Sequence, residues 1–86
     1  MKDWNLTDAQ WCLLDLLAGA RREGHPTLLR QDILYSERLP RGAAVQLTWA
    51  ALTIPSELMT IRNEHEFSIT ELGVQALAFR FGRARG

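Results

Sequence analysis

The sequence predicts a mainly α-helical domain with one small β-hairpin, in the order helix, helix, helix, hairpin, helix. The clearest sign is a change of period within the stretch FSITELGVQAL, residues 67–77. Apolar and polar residues alternate up to Thr70, as in a half-buried strand, whereas from Glu71 onward the apolar residues recur at helical spacing. A strand therefore runs directly into a helix, and a cap at Thr70 makes this possible without a loop.

The first helix is predicted to begin after Thr7. Thr7 can cap the helix, and Gln10, three residues later, can complete a capping box. The helix is expected to run to about Glu23, because Gly24 and Pro26 follow and both residue types end helices. Apart from a narrow polar stripe its residues are nearly all apolar, so we expect the other elements to surround it.

Two more helices and the hairpin are predicted next. The second helix covers about residues 29–38, and the third covers about residues 43–54, where Pro55 ends it. Residues 57–62 and 66–69 have the composition of strands and are joined by a tight connection. The hairpin therefore lies between the third helix and the last one.

Length and composition limit what this domain can be. The 86 residues suffice for a single domain, residues 1–86, in which we expect residues 79–86 to fray as a tail. Ten basic and ten acidic side chains cancel, whereas domains dedicated to nucleic acids usually carry a basic excess. The single cysteine, Cys12, lies in an apolar run and is expected to be buried. With no leader and no apolar segment long enough for a bilayer, a cytoplasmic protein is predicted.

Two stretches carry a family resemblance. LTDAQWCLLDLLA, residues 6–18, resembles the opening helix of MarR-type and PadR-type regulators, and FSITELGVQAL resembles the segment that follows their hairpin. The resemblance spans most of the chain and implies a winged-helix domain, a mainly α fold with a small β-hairpin called the wing. It further implies a transcriptional regulator that binds double-stranded DNA, with its third helix in the major groove and its wing on the backbone or minor groove.

The resemblance also implies which residues contact DNA. They are Arg38, Arg41, Gln46, Thr48 and Arg62. The three arginines would contact phosphates and so hold the domain on the duplex. Gln46 is the residue of the third helix best suited to read a base edge, because a glutamine can bond adenine with two hydrogen bonds.

The charges on the third helix and the hairpin argue against the DNA binding that the resemblance implies. The third helix carries no Lys or Arg after Arg41, and the hairpin carries Glu64 and Glu66 where phosphates would repel them. A partner protein is therefore the alternative, with the chain acting as an adaptor or as a small inhibitor from a mobile element. Both hypotheses stay open at this point.

The alternative has its own predicted surface. In the frame of the resemblance, Val45, Trp49 and Leu52 face the core, which leaves mostly apolar residues on the outward side of the third helix. An apolar outward face suits a protein partner better than a base pair. The residues predicted to contact such a partner are Leu47, Ala50 and Ile54.

Enzymatic chemistry is not predicted. His25 and His65 stand apart from other possible ligands, so no metal site is expected. The sequence has no glycine-rich phosphate loop and no nucleophile motif. We therefore predict neither a catalytic residue nor a cofactor.

The last helix is predicted to have two apolar faces. Val74, Leu77 and Phe81 form one face, and the other consists of Leu72, Ala76 and Phe79. A chain of this size can bury one face within its own core. The second face therefore predicts a homodimer, formed with help from the segment around Trp4.

Overall fold

The fold is mainly α-helical with one small antiparallel sheet, which confirms the coarse prediction. The computed structural model describes residues 4–35 and 40–85, without the side chains of residue 41 and of residues 81–85. In chain order the elements are α1 (Asp8–Arg22), β1 (Leu28–Leu29), α2 (Arg30–Leu34), α3 (Arg41–Ala50), a 3-10 turn (Ala51–Thr53), β2 (Met59–Arg62), β3 (Glu66–Ile69) and α4 (Glu71–Arg85).

A complete capping box starts α1, as predicted. The Thr7 N–H donates to Gln10 Oε1 at 2.9 Å, and the Gln10 N–H donates to the Thr7 hydroxyl at 3.2 Å. The buried Gln10 side chain also donates from Nε2 to the Thr53 hydroxyl at 2.6 Å, which ties α1 to the turn after α3. α1 ends at Arg22, one residue before the predicted end.

The cap and the core of α1 should contribute different amounts of stability. Thr7→Ala removes the capping hydroxyl and should lower the free energy of unfolding by about 1 kcal/mol. Leu17 belongs to the buried core, so Leu17→Ala should cost more, about 2–5 kcal/mol. Urea denaturation measures both values. A larger loss for Thr7→Ala than for Leu17→Ala would contradict a central position of α1.

The sheet contains the predicted hairpin and one strand that the sequence did not reveal. Its order is β1-β3-β2, with all neighbours antiparallel. The central residue Phe67 pairs with Leu28 of β1 on one side and with Ile61 of β2 on the other. A hydrogen bond of 2.9 Å between the hydroxyls of Thr27 and Ser68 lies beside the β1 pairing. Because β1 has two residues, it shows no recognisable period in the sequence.

The core lies between α1 and the sheet. α1 contacts α3, α4 and β3, which confirms that the other elements surround it. The largest fully buried side chains come from α1, α2, β2, β3 and the residue directly before β2. They are Leu13, Leu14, Ile33, Leu58, Met59 and Phe67.

β3 passes into α4 through the predicted threonine cap. The Thr70 hydroxyl accepts the Gly73 N–H at 3.0 Å and donates to the Glu57 carbonyl at 2.6 Å. The Thr70 N–H donates to the Leu58 carbonyl at 2.9 Å, so the start of α4 is held against the entry to β2. Gly73 sits directly over that carbonyl and leaves no room for a side chain.

The second and third helices differ from their predicted bounds. α2 has five residues and begins at Arg30, because Leu29 is taken into β1. Its predicted end at Arg38 lies outside the described residues. α3 begins at Arg41, two residues earlier than the periodicity predicted, and the 3-10 turn replaces its predicted last turn.

The second apolar face of α4 is largely used within one chain. Ala76 is buried like Leu77, and Leu72 packs against the same core, as does Trp4. Of the three residues predicted to form that face, Phe79 is the exposed one, at 37%. The homodimer stays a prediction, but the bare helical face that motivated it is not found among the described residues.

Cys12 is exposed, so the prediction that it is buried is wrong. It lies on α1 at helical spacing between Asp8 and Asp15, which are also exposed. These positions share one face of the helix because residues four and three apart are neighbours on a helix surface. The apolar run around Cys12 concealed its place on the polar stripe.

Candidate interaction surface of α3 and the hairpin

The third helix turns outward a different face from the one predicted. Val45, Trp49 and Leu52 were predicted to face the core, yet 43%, 69% and 60% of their surfaces are exposed. Leu47 and Ile54, predicted to point outward, are buried. The predicted orientation of α3 is therefore wrong by a substantial rotation about its axis.

The alternative packing of α3 has a physical reason. The side of α3 and the following turn that faces inward carries Ala44, Leu47, Ala51 and Ile54, all buried. Two alanines on the inward side allow close approach of the neighbouring helices, which the bulk of Trp49 on that side would prevent. The Gln10–Thr53 hydrogen bond holds the end of this segment in the same orientation.

The residues predicted to meet a partner protein are therefore not the exposed ones. Leu47 and Ile54 belong to the core, and Ala50 is partly buried. An apolar face is nevertheless present on α3, made by a different set of residues. We call this set, Val45, Trp49 and Leu52, the α3 patch.

The two polar residues predicted on the third helix differ in their availability. Gln46 is exposed beside the α3 patch, where its amide can reach a ligand. Thr48 is partly buried, and its hydroxyl donates to the Val45 carbonyl at 2.8 Å. Because that hydroxyl already has a partner within the helix, the side chain of Gln46 is the more available of the two for contact with a ligand.

The structure brings the predicted arginines together only in part. Arg62 ends β2 and is exposed beside the hairpin tip. Arg41 is the first residue of α3, but its side chain is not described. Arg38 lies outside the described residues, so a common phosphate-binding surface for the three remains a prediction.

Two adjoining grooves lie beside the α3 patch. The first, the α3 groove, has a volume of about 270 Å³ and is lined by Arg30, Leu34, Thr48, Trp49 and Leu52. The second, the hairpin groove, has a volume of about 400 Å³ and is lined by Leu29, Arg30, Gln31, Leu34, Tyr35 and His65. Arg30 and Leu34 line both grooves, so the α3 patch and the hairpin tip flank one continuous surface.

Arg30 holds the hairpin tip against the start of α2. Its N–H donates to the His65 carbonyl and its Nη2 donates to the Glu64 carbonyl, each at 2.7 Å. Asn63 and Glu64 both have positive φ angles, 52° and 66°, which non-glycine residues adopt at a cost. The two hydrogen bonds from Arg30 help to maintain that strained turn.

The charges near the grooves have opposite signs in different places. The described side chains that line the two grooves include the cation Arg30 and the imidazole of His65, and no carboxylate is among these described side chains. Glu64, at the hairpin tip, is exposed to solvent, while Glu66 is partly buried in β3. A negative group would therefore be repelled at the outer tip and attracted within the grooves.

Sequence reasoning missed the two residues that shape this surface most, Arg30 and Tyr35. Arg30 follows a two-residue strand and carries no local signal of its role, because its partners lie more than thirty residues away in the hairpin. Tyr35, 79% exposed, has no periodic neighbours beyond the short α2. An aromatic residue within the predicted second helix, residues 29–38, was the one available signal.

The described residues include no group of three His, Cys, Asp or Glu side chains that could hold a metal ion. Within the same part of the chain, no helix has the length and hydropathy needed to cross a membrane. Comparisons with known proteins gave no match to a protein-family model, to a curated protein or to a solved structure. Function is therefore inferred from the residues of this surface.

Proposed function

We propose that the chain is a winged-helix module that binds a partner protein through the α3 patch. Three features support the winged-helix assignment. β1 lies between α1 and α2 and pairs with β3, the hairpin follows α3, and α2 packs against α3. The hairpin tip also adjoins α2 through Arg30, as expected of a wing beside a helix-turn-helix.

The exposure of Trp49 carries the proposal. Trp49 is 69% exposed in the middle of a stripe with Val45 and Leu52, which lie four residues before it and three residues after it. Side chains at this spacing share one face of a helix. Large exposed apolar patches on small soluble domains mark binding surfaces, and tryptophan is among the residues that contribute most to protein interfaces.

The same stripe is poorly suited to reading bases. Valine, tryptophan and leucine side chains offer at most one hydrogen-bond donor, the indole N–H, whereas base edges are distinguished by paired donors and acceptors. The formal net charge is zero, so the long-range attraction that brings basic domains to DNA is weak. Protein binding therefore ranks ahead of DNA binding for this face.

A DNA-binding regulator is the second candidate function. Its support is the exposure of Gln46 on α3 and of Arg62 on the hairpin, the two elements that contact DNA in the regulators the sequence resembles. In that case Arg62→Ala should weaken binding to all sequences alike and lower the salt slope by about one unit. Gln46→Ala should instead relax the preference at one base pair.

The two functions are separated by substitutions in the α3 patch. We expect Leu52→Asp to abolish binding of the partner protein, because a charge would enter an apolar contact. The matched control is Ala78→Asp, which places the same charge on an exposed position of α4 and should bind normally. Affinity capture from the source cells with wild type and both variants identifies candidates that Leu52→Asp alone fails to retain.

Each candidate is then purified and titrated. Trp49→Ala should lower the affinity for a genuine partner by about thirtyfold or more, which is the loss typical of a hot-spot residue. Retardation of genomic DNA fragments at two salt concentrations runs in parallel. Two results together would favour the regulator instead. One is sequence-specific DNA binding that the Trp49→Ala variant retains, and the other is that the Leu52→Asp variant captures the same proteins as the wild type.

A further inference from the structure

The cation at the centre of the grooves, Arg30, forms no salt bridge within the part of the chain that the structure describes. The guanidinium of Arg30 donates from Nη2 to the Glu64 carbonyl, and its buried Nε has no hydrogen-bond partner. The salt bridges found among the described residues, Arg21–Glu71 and Arg80–Asp8, do not involve it. A guanidinium offers five N–H donors, so the described residues leave much of the capacity of Arg30 unused.

The surroundings of Arg30 restrict the kind of ligand that could bind its guanidinium group. The grooves on its two sides are walled by apolar and aromatic side chains, chiefly Leu34, Tyr35, Trp49 and Leu52. A partly buried cation in such walls favours an anion that arrives with apolar groups attached. A bare phosphate backbone would satisfy the charge but would leave the apolar walls uncovered.

The extent of the surface indicates a polypeptide rather than a small molecule. From Val45 to Leu52 the stripe spans eight residues, which are seven steps of about 1.5 Å and so about 10 Å along α3 and the turn after it. The hairpin groove extends it past Arg30 as far as His65. A short helical or extended segment can cover both parts at once.

We infer that the partner presents an acidic amphipathic peptide segment, with a carboxylate that pairs with Arg30 and a large apolar side chain that enters the α3 groove between Trp49 and Leu52. This inference rests on the proposed function, because it names the chemistry of the partner at the same surface. Arginine and carboxylate can form two parallel hydrogen bonds, so the pair would set the register of the segment on α3. The apolar side chain would supply most of the affinity.

Selection from a phage-displayed library of random twelve-residue peptides tests the inference. Wild-type protein is the bait, and Trp49→Ala protein removes peptides that bind elsewhere. The selected peptides should share an Asp or Glu within one helical turn of a Leu, Phe or Trp. The best peptide is then synthesised, together with a version in which the acidic residue is replaced by its amide.

The contribution of Arg30 is measured by titration of these two peptides. Arg30→Gln should weaken the acidic peptide by about tenfold or more and leave the amide version nearly unchanged. The Arg30→Glu variant should bind a peptide that carries Lys in place of its acidic residue more tightly than it binds the original peptide. A merely structural role of Arg30 at the hairpin tip would weaken all peptides equally. Amide spectra of each variant establish that the fold is retained.

The possible outcomes separate the two proposals. Failure to select any peptide that depends on Trp49 would overturn the proposed function together with this inference. Selection of purely apolar peptides that bind Arg30→Gln normally would overturn the inference alone. A further contrary result is that a DNA duplex displaces the acidic peptide at physiological salt from the wild type but not from the Arg30→Gln variant. That result would also overturn the inference, because Arg30 would then bind a phosphate.

Discussion

Replacing Gly73 with alanine is expected to lower the free energy of unfolding by about 3 kcal/mol, near the upper end of the usual cost of overpacking. A Cβ at this position would lie 2.3 Å from the Leu58 carbonyl oxygen and 2.7 Å from a side-chain carbon of Ile69. The Leu58 carbonyl also accepts the Thr70 N–H, so it cannot move away without loss of the contact that starts α4. The added methyl group must therefore displace α4 from the sheet.

Gly42 provides the matched control. It lies in the first turn of α3, where an added Cβ would meet no heavy atom within 4 Å. Gly42→Ala should leave stability unchanged or raise it by up to about 1 kcal/mol, because alanine favours the helix. Urea denaturation compares the two variants. Equal effects of the two substitutions would contradict the close approach of α4 to the segment before β2.

Phe67→Ala is expected to cost about 3–5 kcal/mol of stability. Phe67 is fully buried and occupies the central strand, where it pairs with Leu28 on one side and Ile61 on the other. Its removal leaves a cavity that β1 and β2 cannot fill without giving up their register. Thermal or urea unfolding measures the loss.

Phe79→Ala removes the same group from a position that is 37% exposed. Its expected cost is about 1 kcal/mol, since over a third of its surface already contacts solvent. Because both substitutions replace Phe with Ala, the difference between their costs measures the effect of burial alone. A cost for Phe79→Ala as large as that for Phe67→Ala would mean that α4 carries a second core, such as the interface of a homodimer.

The parts of the fold that local chemistry specifies were predictable. Thr7 and Gln10 form the predicted capping box, and Thr70 caps α4 directly after the strand. A capping signal spans about four residues, so it can be recognised without knowledge of the tertiary structure. The hairpin was predictable for the same reason, because its alternating strands are neighbours in the sequence.

The orientation of α3 was not predictable from its pattern. Val45, Trp49 and Leu52 form one apolar stripe, while Leu47 and Ile54 lie in another, so periodicity allows either side to face inward. The choice depends on which side fits against α1 and α2. That fit is a property of the assembled core and is not encoded in the helix alone.

β1 and the role of Arg30 escaped prediction for a related reason. Leu28 and Leu29 become a strand because β3, nearly forty residues later, pairs with them. Arg30 shapes the candidate surface through the carbonyls of Glu64 and His65, which are equally remote in sequence. Nonlocal partners leave no pattern around the residue itself. The sequence therefore indicated which helix carries the site, but not which residues form it.

The indole N–H signal of Trp49 in the ¹H–¹⁵N spectrum tests the central claim most directly. The chain has three tryptophans, and the assigned signals of Trp4 and Trp11 serve as internal references. In the free protein a soluble paramagnetic agent should broaden the Trp49 signal most, and a saturating amount of the partner protein should shift it and protect it from the agent. A Trp49 signal that is shielded in the free protein, or that is unchanged by the bound partner, would contradict the account.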